Sequence, residues 1–180
     1  MNITIYIPLL NSNTNLKKNL KFYDNIKFKG YFLLIDSSSP EEVKKNISTI
    51  KKYKDLKIKH FIYKNWSMSC LKKYFNQIKT DFFVFQGADD YYLPNALQKS
   101  INFLKKNKSY VACGGGAILL DPIKNCISRY HLAESHNDSF VSRMDEYLAF
   151  TRQLQFSVLR TSAIKKIIKF IPLNKKLIPD

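Results

Sequence analysis

The sequence predicts an α/β fold: a mostly parallel central sheet with helices on both faces. Three observations carry this. Short runs that are apolar throughout recur along the first two thirds of the chain. A longer stretch with apolar residues at helical spacing follows nearly every one. Strands apolar on both faces belong to a covered parallel sheet, and the alternating helices supply its crossovers. Finally, 180 residues, 45% hydrophobic and 14% aromatic, suffice for one domain with a sizeable core and argue against disorder.

The elements follow in order. Ile3 to Pro8 reads as a buried strand, and Thr14 to Asn25 as a helix with Leu16, Leu20 and Tyr23 in register. Tyr31 to Ile35 is the second strand. Pro40 opens a helix at its first turn, where proline is favoured, with Val43, Ile47 and Ile50 as its apolar stripe. Ile58 to Tyr63 is a third strand, and Met68 to Ile78 a helix presenting Leu71, Tyr74, Phe75 and Ile78. Phe82 to Phe85 is a fourth strand, Pro94 to Lys106 a fourth helix through Leu97, Ile101 and Leu104, and Tyr110 to Cys113 a fifth strand ending in Gly114-Gly115-Gly116. Beyond Gly116 the pattern weakens. Phe156 to Leu159 reads as a further strand, and Ile164, Ile167, Ile168 and Ile171 mark a helix face suited to core packing rather than to a membrane surface.

The net charge is +16, yet the lysines fall in pairs such as Lys17-Lys18, Lys51-Lys52 and Lys105-Lys106, with no block of five or six like charges. That pattern is one of solvated helix faces. It also creates a field attracting anions such as nucleotide diphosphates or acidic headgroups. Cys70, Cys113 and Cys126 have neither paired nor metal-ligand spacing and read as reduced thiols of a cytosolic protein. The first ten residues lack the basic start and cleavage site of a signal peptide. No stretch reaches the length of a membrane span, so membrane contact is expected to be peripheral.

In an open α/β sheet, ligands bind outside the carboxyl ends of the strands. Four polar segments meet there: Pro8 to Asn13, Asp36 to Ser39, Lys64-Asn65 and Gln86 to Asp90. Asp89-Asp90 is the most informative. Adjacent carboxylates at a strand end repel unless a cation sits near them, and oxygen ligands suit Mg²⁺ or Mn²⁺ bridging to phosphates. A helix N-cap for the Pro94 helix is the competing role. Asp36 suits a base or ribose contact, or the turn into the next helix. Asn11 suits an Asx-turn or a base contact. Lys64 suits a phosphate contact or a plain surface position.

Other motifs are missing. No G-x-G-x-x-G follows the first strand and no P-loop is present. Gly114 to Gly116 fit a bulge or a close backbone approach, since Ala117 to Leu120 continue extended rather than opening a helix. His60, His131 and His136 share no ligand spacing, and His60, in the third strand, reads as structural. A Gly-rich, basic loop after the first strand, expected of a nucleotidyltransferase, is absent. The aromatics lie in strands and helix stripes rather than among the lysines, which disfavours a nucleic-acid partner.

At these residues the chain resembles family 2 glycosyltransferases with the Rossmann-like GT-A fold. ITIYIPLLNSN is similar to their first strand and turn, LLIDSSSPEE to their second strand, and TDFFVFQGADDYYLPNAL to their metal-binding segment, in the form of a bacterial subfamily with an Ala-Asp-Asp-Asp type motif. The resemblance covers residues 3 to 120 well and the rest loosely. It implies one domain over residues 1–180, with 1–120 as the nucleotide-sugar part and 121–180 as an acceptor-side part that either reaches the base position at Asp180 or is C-terminally truncated before it. It implies donor contacts from Pro8, Asn11, Asp36, Ser37, Lys73 (or Lys72), Ala88 and Asp89, with Mn²⁺ or Mg²⁺ held by Asp89 and Asp90. It implies inverting transfer of a sugar from a nucleoside diphosphate to a saccharide or lipid-linked acceptor, in cell-surface polysaccharide or lipopolysaccharide synthesis at the inner face of the membrane. Phe156 to Arg160 is similar to the strand bordering the acceptor. Two departures stand out. Gly87 takes the place of the first Asp of the usual Asp-x-Asp. No Glu-Asp pair follows the acceptor strand, so the catalytic base is unassigned, with Asp180 the candidate near that position and a non-catalytic domain that only binds nucleotide the alternative reading. Asp145-Glu146 come too early, on an expected helix over 138–151.

Overall fold

The computed structural model describes residues 1–64, 68–121, 125–130, 137, 139, 141–143 and 156–170. Four βα units open the chain. Strands β1 (Ile3–Leu9), β2 (Tyr31–Asp36), β3 (Lys57–Ile62) and β4 (Phe82–Phe85) are each followed by a helix: α1 (Asn13–Asn25), α2 (Pro40–Ile50), α3 (Met68–Phe75) and α4 (Pro94–Lys106). The four strands are parallel, with Leu9 opposite Asp36, Asp36 opposite Ile62, and Tyr6 opposite Phe85. Then come β5 (Ala112–Cys113), the hairpin of β6 (Ala117–Asp121) and β7 (Cys126–Tyr130), β8 (Val158–Arg160) and α5 (Thr161–Ile168). The main sheet runs β3-β2-β1-β4-β8-β5, and β8 is antiparallel to both neighbours. The sheet is therefore mixed but mostly parallel.

Strand alternation sends successive side chains to opposite faces, and the core divides accordingly. Ile3, Ile5, Ile7 and Leu9 of β1 join Phe32, Leu34 and Val84 on one face, covered by Leu16, Leu20 and Tyr23 of α1 and by Leu97, Ile101 and Leu104 of α4. Tyr6, Leu33, Ile35 and Phe83 occupy the other face, under Cys70 and Phe75 of α3 and Ile168 of α5. Burying each such aliphatic side chain contributes roughly 1.5–3 kcal/mol, so β1, enclosed on both faces, anchors the fold. On α5 the expected core face holds through Ile164 and Ile168, while Ile167 is exposed and Ile171 lies outside the described residues.

Several boundaries differ from expectation. The fifth strand is two residues rather than four. It is an edge strand paired only with the three-residue β8, and Tyr110 packs edge-on against Phe103 instead. Helix α3 stops at Phe75 because the Gln77 and Ile78 N–H groups bond to Tyr74 and Phe75 carbonyls in tight i→i−3 turns. The strand expected from Phe156 begins at Val158 and runs to Arg160. The buried face of α2 is Val43, Asn46 and Thr49, with Ile47 and Ile50 only partly covered. Asn13 of α1 donates to Asn46 Oδ1 at 2.8 Å and Thr49 Oγ1 at 3.0 Å, so the two helices meet through amides. Of the helix expected over 138–151, residues 141–143 are helical and most of the others lie outside the described residues. The β6–β7 hairpin, turned at Asn125 with φ 47°, escaped the sequence reading.

Candidate functional site

Strand order reverses between β1 and β4. The chain builds outward from β1 to β2 and β3, then returns to place β4 on the other side of β1. Such a reversal opens a crevice at the carboxyl ends of the two central strands. Pro8 to Asn13 leave β1 there, Ser37 to Ser39 leave β2 beside them, and Gln86 to Asp90 leave β4.

On the β2 side, Asp36 is fully buried. Its Oδ1 accepts the Ser38 N–H at 3.0 Å, and its Oδ2 accepts Asn46 Nδ2 at 2.9 Å and faces His60 Nε2 at 3.0 Å. Burial pushes this carboxyl up, but the hydrogen bonds from His60, Ser38 and Asn46 outweigh it and hold it at about 2. Asp36 is thereby an anchor of the loop that follows β2. Asn11, at φ 48°, locks that loop to the β1 turn: its N–H donates to Ser38 Oγ at 2.9 Å and its Oδ1 accepts the Ser39 N–H at 2.9 Å. Asparagine tolerates this left-handed conformation better than other non-glycine residues. Pro8 is partly buried opposite Ile35. On these loops two buried hydroxyls, Ser12 Oγ and Ser37 Oγ, have no hydrogen-bond partner among the described residues. Buried polar atoms are nearly always paired, so these two hydroxyls retain unused hydrogen-bonding capacity.

On the β4 side, a chain of buried amides and hydroxyls holds the acidic loop. Asn19 Nδ2 donates to the Asp90 carbonyl at 2.7 Å and the Ala88 carbonyl at 3.4 Å, and Asn19 Oδ1 accepts from Gln86 Nε2 at 3.0 Å. The Tyr23 hydroxyl donates to Gln86 Oε1 at 2.5 Å and accepts the Tyr92 N–H at 2.9 Å. The Tyr92 hydroxyl reaches the Phe85 and Phe156 carbonyls at 2.8 and 2.9 Å, tying the loop to the entry of β8. Burial pushes both phenols up, so they remain protonated donors.

The loop so fixed presents two carboxylates. Asp90 Oδ2 accepts the Gly87 N–H at 3.1 Å. A Cβ at Gly87 would lie 2.6 Å from Asp90 Oδ2 and 3.0 Å from Asp89 Oδ1, so both carboxylates fold over the space that glycine leaves. Burial and the neighbouring charge of Asp89 push the Asp90 carboxyl up, the Gly87 N–H partly offsetting them. Among the described residues no third His, Cys, Asp or Glu joins the pair. Two hard oxygen donors over a cradle fit a cation that completes its shell with water and phosphate oxygens, as Mg²⁺ and Mn²⁺ do. As for an N-cap role, the residue at that position of α4 is Leu93, which makes no side-chain capping bond.

The other sequence candidates are placed as follows. Lys73 is exposed on α3, its Nζ 5.3 Å from the centre of the Tyr63 ring and 5.4 Å from that of Tyr74. Lys72 donates to the Lys169 carbonyl beyond α5 at 2.9 Å. Lys64 is exposed after β3. At Gly115 a side chain would meet no described atom within 4 Å. Asp180, Asp145, Glu146, His131 and His136 lie outside the described residues. Sequence reasoning missed Asn19, Tyr92 and Asn46, it placed Gln86 at the edge without its partners Asn19 and Tyr23, and it took His60 as structural without its partner. One signal was available: Asn19 falls at i+3 from Leu16 and i−4 from Tyr23, an amide inside an apolar stripe.

The chain matches the family model for glycosyl transferase family 2 over residues 4–168, and it belongs to that family. No curated protein sequence matches it. Among solved structures, it is similar to the mannosyltransferase PcManGT from Pyrobaculum calidifontis, in complex with GDP-Man and Mn2+ (TM-score 0.62, 11% identity, 92% of this chain and 46% of that one). It is also similar to S. aureus TarS 1-349 in complex with UDP-GlcNAc (TM-score 0.62, 16% identity, 96% and 49%) and to S. aureus TarS (TM-score 0.58, 14% identity, 92% and 29%). At these identities the likeness is one of fold: a mostly parallel sheet flanked by helices, of the GT-A type. The chain spans about half or less of the length of these structures.

Proposed function

We infer that the protein transfers a sugar from a nucleoside diphosphate donor to an acceptor hydroxyl. The observation that carries the reading is the convergence, at the β1/β4 reversal, of the Asp89–Asp90 pair with the unpartnered hydroxyls of Ser12 and Ser37. One edge of the sheet thus offers groups for a cation with its diphosphate and groups for a nucleoside. Family membership and the donors bound by the similar structures, UDP-GlcNAc and GDP-Man with Mn2+, point the same way.

In this reading Pro8, Asn11 and Ser37 line the nucleoside pocket, Asp36 holds its floor, and Lys73 supplies positive charge at the approach. Ala88 and Asp89 border the diphosphate. Asp89 and Asp90 would hold Mn²⁺ or Mg²⁺, which when bound supplies Lewis-acid stabilisation of the charge on the departing diphosphate. The bond from the anomeric carbon to the diphosphate oxygen breaks, and one to the acceptor oxygen forms from the opposite face, giving inversion. The acceptor proton passes to a carboxylate base, for which Asp180 remains the candidate. Of the stretch from Phe156 to Arg160, the Phe156 end, held by the Tyr92 hydroxyl, borders the acceptor, while Arg160 lies at the other end of β8 beside Phe82. The acceptor class is a saccharide or lipid-linked saccharide of cell-surface polysaccharide or lipopolysaccharide synthesis, met at the inner membrane face. Among the described residues no helix is long and apolar enough to cross a membrane.

The test is a thermal-shift panel of nucleoside diphosphates, each with and without Mn²⁺. A ligand at 100 times its Kd stabilises by about 2.7 kcal/mol. The expected result is one nucleotide that protects only with metal, its protection abolished in Asp89→Ala. A folded wild type that no nucleotide protects would sink the donor reading.

A further inference from the structure

The opposite edge of the same sheet carries a second polar concavity, of about 590 Å³. It lies where β4 begins and β8 ends, at the far end of β4 from Asp89, between the C-terminal end of α4 and the start of α5. Lys79, Lys105, Lys108, Arg160 and Lys165 line it against a single carboxylate, Asp81, whose Oδ2 is held by Asn2 Nδ2 at 2.6 Å. Two of the cations are anchored. Arg160 donates to the Tyr110, Leu104 and Asn107 carbonyls, closing the end of α4, and Lys165 Nζ lies 3.3 Å from the Ile78 carbonyl. Lys79, Lys105 and Lys108 are exposed and make no ion pair among the described residues.

Thr161 opens α5 on the wall of this cleft. Its N–H is used, donating to the Asp81 carbonyl at 2.9 Å. Its hydroxyl is not: Thr161 is 4% exposed, and Oγ1 has no hydrogen-bond partner among the described residues. The N-cap residue, Arg160, makes no side-chain capping bond, and the first turn of α5 carries no acidic residue. A helix start with unscreened positive dipole, an orphaned hydroxyl and surrounding cations form a receptor for an oxyanion.

We propose that this cleft is a phosphate-binding site, separate from the donor edge, that takes the phosphate group of a soluble phosphoester or of a lipid headgroup. Thr161 Oγ1 and the start of α5 bind its oxygens, and Lys79, Lys105 and Lys108 balance its charge. The inference stands independently of the donor reading.

The test is thermal shift of the full chain in EDTA, with inorganic phosphate or pyrophosphate against chloride at matched ionic strength. Pyrophosphate is expected to raise the melting temperature of the wild type. The gain should fall at least by half in Thr161→Val and in Lys105→Gln/Lys108→Gln, and persist in Ser37→Ala at the donor edge. In chloride, Thr161→Val should melt no lower than the wild type, since the hydroxyl it removes has no partner. Sedimentation with phosphatidic acid vesicles, against neutral phosphatidylcholine vesicles, separates the two sources. Selective vesicle binding that pyrophosphate competes away assigns the headgroup, and protection without vesicle binding assigns a soluble phosphoester. The proposal is overturned if neither phosphate, pyrophosphate nor acidic vesicles act on the wild type. It is equally overturned if Thr161→Val keeps the full gain, or if only Ser37→Ala loses it.

Discussion

Asp36 Oδ2 and His60 Nε2 face each other at 3.0 Å across the neighbouring parallel strands β2 and β3, and the carboxylate is fully buried. The contact turns a strand-end Asp into the keystone of the β2 loop and gives the fold an acid-sensitive point. Asp36 is held at about 2, below its ordinary 3.8. A lowered carboxyl stabilises the fold fully above its unfolded value, and that contribution is lost as pH falls from about 4 towards 2. The separation corresponds to roughly 2 kcal/mol. Denaturant unfolding between pH 6 and pH 2.5 is expected to show this loss, and Asp36→Asn should flatten that part of the profile while lowering stability at pH 6.

Asn19 is 1% exposed and bonds to Gln86, Ala88 and Asp90. Replacing it with Leu strands the Gln86 amide and the Asp90 carbonyl, at a cost of about 2–4 kcal/mol. Urea unfolding should register that loss. Metal-dependent nucleotide protection should fall with it, because the same amide positions the acidic loop.

Gly87→Ala separates the metal reading from a purely structural one. The φ of Gly87 is not positive, so alanine is permitted on the backbone, and the atoms nearest its Cβ belong to the Asp89 and Asp90 carboxyl groups, which can turn aside. Stability should change by less than about 1 kcal/mol. The Mn²⁺ concentration needed for half-maximal nucleotide protection should rise about tenfold or more, an energy of about 1.4 kcal/mol. An unchanged Mn²⁺ requirement would place the cation elsewhere.

Ser37→Ala removes a buried hydroxyl that has no partner among the described residues. The apo protein is expected to be as stable as the wild type or more so. If the hydroxyl serves the nucleoside, calorimetric titration should show nucleotide affinity falling about threefold to tenfold, the worth of one ordinary hydrogen bond. A clear loss of apo stability would mean that the hydroxyl serves the fold.

Asp90→Asn tests the repulsion within the pair. Burial and Asp89 both disfavour its charge, so ionised Asp90 strains the metal-free loop increasingly as pH rises through its elevated range. The amide can still accept the Gly87 N–H. Melting in EDTA at neutral pH should therefore be unchanged or higher, while the stabilising response to Mn²⁺ with nucleotide disappears.

The sequence by itself determined the four βα units, the sheet edge at which polar segments gather, and the Asp89–Asp90 pair. These depend on contiguous residues: strand and helix periodicity is written locally, and in a parallel sheet every strand's carboxyl end faces the same way. Only the tertiary structure decided what those residues touch. Nothing local says that β8 inserts antiparallel between β4 and β5. Nor does anything local say that Asp36 would be spent on Asn46 and His60, 10 and 24 residues away, or Asn19 on Asp90, 71 residues away. The phosphate cleft is of the same kind, since Lys79, Lys105 and Thr161 meet only once β4, α4 and α5 have packed. Such pairings are set by the satisfaction of buried polar groups across the fold, a condition that exists only after the chain has closed on itself.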